Sequence, residues 1–165
     1  MGLFRRGRAH VDPRAVHPLS VPDVGDSPEV LRRALEELIA FINRNAGRLP
    51  GVAVVSARRV TDTLRETIDT SKVRPLDVYA VMAVKGTLND YLPQTLRIYL
   101  AVDTTLLEAP RESGLTPSQS LLEQLHALQT STSATLVAVR DQDADALMTQ
   151  GCFLRTKFSG SDLDL

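Results

Sequence analysis

Three acids at alternating positions, Asp141, Asp143 and Asp145, stand as the opening ligands of a calcium loop do. Such a loop also needs Gly at its sixth position, for the sharp turn, and Glu at its twelfth, to bind through both oxygens. Ala146 and Cys152 occupy those places, so the run reads as a solvated acidic patch. Glu123 and His126 have the Glu-x-x-His spacing used by di-iron carboxylate bundles. One copy, with no partnering core glutamates, reads as a surface pair. The other histidines are His10 and His17, and neither an i,i+4 His pair nor HExxH occurs, so metal coordination is not expected. Lys85-Gly86-Thr87 carries only the last letters of a phosphate-binding loop, while GxGxxG and GxSxG are absent. The sequence therefore offers no catalytic, cofactor-binding or metal-binding set, and the balance is against an enzyme.

Two groups of residues suit binding better than catalysis. Tyr91 and Tyr99, eight apart in a helical pattern, are expected to share a face, and with Gln94 and Arg97 they are the candidate lining of an interaction groove. Ordinary tyrosines at the edge of a core are the preferred reading. Leu3 and Phe4 beside Arg5, Arg6 and Arg8 have the composition of a weak membrane or partner anchor. Arg6 stands where a myristoylation signal needs Ser or Thr.

The elements that must position these residues read as helices. Residues 1–27, rich in Pro and Gly, read as a flexible N-terminal arm. Ser27, Pro28 and Glu29 open the first helix, along which Leu31, Leu35, Leu38 and Ile42 fall on one face. Its outer face offers Glu29/Arg33, Arg32/Glu36 and Arg33/Glu37 at ion-pair spacing. Gly47 stops that helix, and a short link through Leu49-Pro50-Gly51 returns the chain in a second helix to about Ser71. The β-prone run Val52–Val55 leaves a short strand as the alternative there. Residues 76–109 read as one long helix, capped by Asp77 and kinked or broken at Pro93, with its apolar N-terminal end buried on several sides. Within it Gly86 is read as a place where another helix approaches closely. Thr116-Pro117-Ser118-Gln119 is a capping box that opens a last helix running to Phe158, with a possible break at the hydroxyl-rich residues 130–133. Its leucines fall near a seven-residue repeat, in the manner of a coiled coil.

Composition sets limits on partners. The 165-residue chain is 43% hydrophobic and 4% aromatic with no Trp, so its core must be aliphatic. A net charge of −1 gives no global field to draw nucleic acid, which is not expected as a partner. Cys152 is the one cysteine, which rules out an intrachain disulfide and suits a reducing, cytoplasmic compartment. No apolar run is long enough to cross a membrane, and the N-terminus lacks the apolar core of a secretory signal.

The run Leu88-Asn89-Asp90-Tyr91-Leu92-Pro93-Gln94-Thr95-Leu96, followed by Tyr99-Leu100, resembles the Tyr-Leu-Pro stretch of XpaC-like bacterial helical proteins. That resemblance implies a bacterial helical bundle, in a family associated by name with phosphate-ester dye hydrolysis and toxic-anion resistance. It carries no catalytic residue onto this chain.

The expectation is an all-α protein: an antiparallel bundle of about four helices over residues 28–158, with the arm before it and a tail over 159–165. Its expected role is a protein–protein interaction or scaffold module, self-associating or with a protein partner. The alternatives are a cytoplasmic protein in peripheral contact with a membrane, and a relative of the phosphate-ester or toxic-anion proteins. No cofactor is expected.

Overall fold

Ser27 opens the first helix by accepting the Val30 N–H on its Oγ at 3.3 Å, with Pro28 in the first turn where no helical partner is needed. The structure, a computed structural model, describes residues 26–159, with side chains to 149 apart from 146 and 147. Helix α1 spans Pro28–Asn45 and buries Leu31, Leu35, Leu38 and Ile42. A single 3₁₀ turn, Ala46–Arg48, leads through Leu49 and Pro50 into α2, Gly51–Thr70. Among the described residues there is no strand.

Helix α2 supplies the centre of the core. Ala53, Ala57, Val60, Leu64 and Ile68 are at most 1% exposed, and the helix packs against both α1 and, most extensively, α5. The β-prone Val52–Val55 is helical because a helix puts Ala53 and Ala57 on the stripe that continues through Val60, while Val52 and Val55 face solvent. Burial of that stripe outweighs the small intrinsic preference for a strand. Thr61 and Thr67 are also buried, and each hydroxyl donates to a carbonyl of its own helix, Arg58 at 2.8 Å and Thr63 at 2.9 Å.

The stretch expected as one kinked helix is α3, Val78–Gly86, a π-helical turn, Thr87–Tyr91, and α4, Leu92–Leu100. The helical path continues past Pro93 without a break. In a regular α-helix the proline ring would crowd the carbonyl four residues earlier and leave an acceptor unpaired. Here the backbone widens just before it, and the Leu92 N–H donates to the Thr87 carbonyl, five residues back. The rod ends at Leu100, well before residue 109, where Arg48 donates to the Leu100 carbonyl at 2.9 Å. A 3₁₀ turn, Thr104–Leu106, and a loop with Gly114 at φ +80° follow.

Helix α5, Pro117–Ser159, has 43 residues and runs through the hydroxyl-rich segment unbroken, for a length of about 65 Å. Its capping box is reciprocal: Thr116 N–H donates to Gln119 Oε1 at 2.9 Å, and Gln119 N–H donates to Thr116 Oγ1 at 3.2 Å. Thr130, Thr132 and Thr135 donate their hydroxyls to the carbonyls of His126, Leu128 and Ser131, so they bond along the helix and do not end it.

Side chains tie the elements pairwise. Arg32 near the start of α1 reaches Asp69 near the end of α2 at 3.2 Å, and Arg58 near the start of α2 donates to Asn43 near the end of α1 at 3.0 Å. The expected pairs within α1 give way to this bridge for Arg32. Arg74, in the α2–α3 loop, clamps α5: its Nε lies 3.1 Å from Asp143, and it donates to the carbonyl and side-chain oxygens of Gln142. Gln142 in turn donates to Asp77 Oδ2 at 2.7 Å. Asp77 Oδ1 accepts the Ala80 N–H at 2.8 Å and caps α3. These contacts, the Ala80 amide first and then Gln142, hold the Asp77 carboxyl below its ordinary pKa.

A depressed carboxylate pKa stabilises the fold at neutral pH, and that contribution is lost as the pH falls through the lowered value. Asp77→Ala should therefore cost about 1 kcal/mol at neutral pH, the usual loss for an N-cap. The deficit should shrink in acid, where wild-type Asp77 is itself protonated. Urea unfolding of both proteins across that range checks the sign.

Candidate interaction surface

The expected groove residues divide between three environments. Tyr91 and Gln94 share an open groove of about 490 Å³ with Thr95 and Ile98; Gln124, Ala127, Leu128 and Ser131 of α5 form its other wall. Arg97 points to the other side of the rod, where its guanidinium lies 5.5 Å from the ring centroid of Phe41 on α1. Tyr99 is only 5% exposed, and its hydroxyl meets Ser118 Oγ at 3.2 Å. Ser118 also donates to Glu108 at 2.6 Å, so the Tyr99 hydroxyl is the donor to Ser118. The physical reason for the split is angular. Eight residues of α-helix leave roughly 80° between two side chains, enough to turn Tyr99 inward and keep Tyr91 out.

Ile98 and the α5 wall were missed by sequence reasoning. One signal was available. From residue 124 to 139 the chain has no Asp, Glu, Lys or Arg. Half of an ordinary amphipathic helix is charged or strongly polar, yet here Ala127, Ser131, Ala134 and Ala138 are exposed.

The N-terminal end of the rod also departs from expectation. Its apolar run predicts burial on several sides, but only Ala80 and Val84 of α3 are buried. Val78, Tyr79 and Met82 are 63%, 81% and 66% exposed. The π turn connects these residues to the groove. A Cβ on Gly86 would come within 3.1 Å of the Tyr91 ring, five residues on, so the ring lies back over the glycine. Gly86 thus makes room for a side chain of its own rod, and not for a neighbouring helix. Tyr79, Met82 and Gly86, three and four apart, lead to the Tyr91 ring and on to Ile98, itself 60% exposed.

The other candidate chemistry disperses. Glu123 and His126 are both exposed, and Asp143 is engaged by Arg74 within an unbroken helix. Among the described residues no group of three or more His, Cys, Asp or Glu is placed to hold a metal ion. No helix among them is long and apolar enough to cross a membrane. Leu3, Phe4, Arg5, Arg6 and Arg8 lie outside the described residues, as do the rest of the arm to residue 25, the tail from residue 160 and the Cys152 side chain. Compared with known proteins, the chain matches no family model, no curated protein and no solved structure.

The contact between Gly86 and the Tyr91 ring has a measurable consequence. Gly→Ala in a helix interior gains about 1 kcal/mol when nothing is in the way. Gly86→Ala should give that full gain in a Tyr91→Ala background and a smaller one beside the native ring. Chemical denaturation of the four proteins of this cycle measures the difference; equal gains would mean the ring does not rest on Gly86.

Proposed function

We propose that this chain is a non-catalytic protein–protein interaction module, an antiparallel helical bundle that presents one rod and the adjoining face of α5 to a protein partner. The observation that carries this reading is the exposed apolar row of Tyr79, Met82, Tyr91 and Ile98, each 60% exposed or more. Isolated apolar side chains are common on surfaces, but a contiguous row at the rim of an apolar groove marks an interaction site. Two tyrosines and a methionine suit that task, since they offer large contact area and a polar or adaptable end.

The antiparallel arrangement is supported by the order of the cross-helix contacts. Arg32 meets Asp69 while Asn43 meets Arg58, so the start of each of the first two helices lies by the end of the other. Tyr99 meets Ser118 while Asp77 meets Gln142, which gives the rod and α5 the same opposed order. A scaffold of this kind holds the row rigid because the opposite faces of the rod and α5 are locked into the core by Leu88, Leu92, Leu96, Leu121 and Leu125.

Site-directed photo-cross-linking in the native cell tests the reading. A photoreactive residue at Ile98 should give a discrete adduct of defined mass that is absent when the probe is at Glu36, an exposed position on α1. The same diffuse pattern at both positions would remove the surface from consideration.

A further inference from the structure

We infer that the partner for this face is a second copy of the same chain, docked about a two-fold axis so that the rod of each protomer enters the α5 face of the other; the inference rests on the interaction-module reading above. Two features lie side by side. The first is a ridge of large apolar side chains, Tyr79, Met82, Tyr91 and Ile98. The second is a trough of small ones, Ala127, Ser131, Ala134 and Ala138, spaced four, three and four along α5 and all exposed.

Ridge and trough are in register. Thr95 meets Gln124, and Asp77 meets Gln142, contacts that are eighteen residues apart on both helices. The two features therefore adjoin over about 27 Å. A surface that carries a ridge beside a matching trough is complementary to its own copy turned by 180°. The ridge of each protomer then fills the trough of the other, and every contact is made twice. The small side chains let the facing backbone approach closely, and the large ones fill the space so made.

Charge and area agree with this occupant. The apolar ridge offers the trough no counter-charge, so an ion in the trough would be buried unpaired on docking, and residues 124–139 carry no formal charge. A partner recognised by charge would need anchors that the groove lacks: its polar groups are Gln94, Thr95, Gln124 and Ser131 together with the Tyr91 hydroxyl. The ridge, with Val78 at its end, leaves five large side chains more than half exposed. That area is on the order of the 800 Å² each partner buries in a standard interface.

Sedimentation equilibrium of the full chain at micromolar concentration is the test. The expected mass is twice the 18.1 kDa of one chain. Met82→Glu in the ridge and Ala134→Arg in the trough should each give monomers, with the dimer dissociation constant raised at least 100-fold and helicity by circular dichroism unchanged. An equal mixture of the two variants should recover a dimer, because one junction then pairs Glu with Arg and the other is wild type. A monomeric wild type, single variants that stay dimeric, or a mixture that stays monomeric would each overturn the inference. If the wild type is monomeric but Ile98 cross-links to a different protein in cells, the second copy is excluded and the module reading stands. A monomer with no such adduct ends both.

Discussion

The fold depends on one face of α2. Ala53, Ala57, Val60, Leu64 and Ile68 reach almost no water, and they do so because helices on two sides cover the same twenty-residue segment. Removing a buried Leu from such a place costs roughly 2–5 kcal/mol, a large share of what a domain of this size has to lose. Everything outside that face is arranged around it, including the polar ties. Arg32, Arg58 and Arg74 all act at the ends of α2 or of its neighbours, where they fix order and register more than they add stability, since each bridge is partly open to solvent.

The rod across from it shows how one residue type shapes a surface. Pro93 has no amide proton, and its ring excludes the carbonyl that a regular helix would place beneath it. The wider turn over Thr87–Tyr91 accommodates both demands. That turn adds a residue to the repeat, and the phase of α3 is thereby offset from that of α4. Leu88, Leu92 and Leu96 stay inside, while Tyr91 leaves the core and its ring comes to rest above Gly86. A helix without the insertion would have a different set of side chains on the outer row. The proline is buried, yet its effect is felt on the exposed side.

Much of this was legible in the chain. Ser27, Asp77 and the Thr116–Gln119 box marked three helix starts, and each makes the hydrogen bond its spacing implies. The buried stripes of α1 and α2 followed from steps of three and four. What was not legible came from two limits of periodicity. A nearly continuous apolar run, as in residues 76–84, cannot say which side faces in; the structure gives that place to the small Ala80 and to Val84 and leaves Tyr79 and Met82 outside. Nor does a spacing of eight residues keep two side chains on one face: it leaves roughly 80° between them, enough to bury Tyr99 and leave Tyr91 outside. Likewise, the serines and threonines of residues 130–133 compete with a helix backbone in isolation, but within a packed helix the Thr130 and Thr132 hydroxyls turn to carbonyls one turn back.

The placement of the tyrosines also makes the protein its own reporter. With no Trp and only three Tyr, almost all near-ultraviolet absorption and emission above that of Phe comes from three known places. Tyr99 is held against Ser118 where α4 meets α5, so it is the tyrosine expected to dominate the dichroism of the folded chain in that band. Tyr79 and Tyr91 stand in water on the apolar row, open to collisional quenchers. One optical experiment thus separates the integrity of the core from the occupancy of the surface, without a label being attached to either.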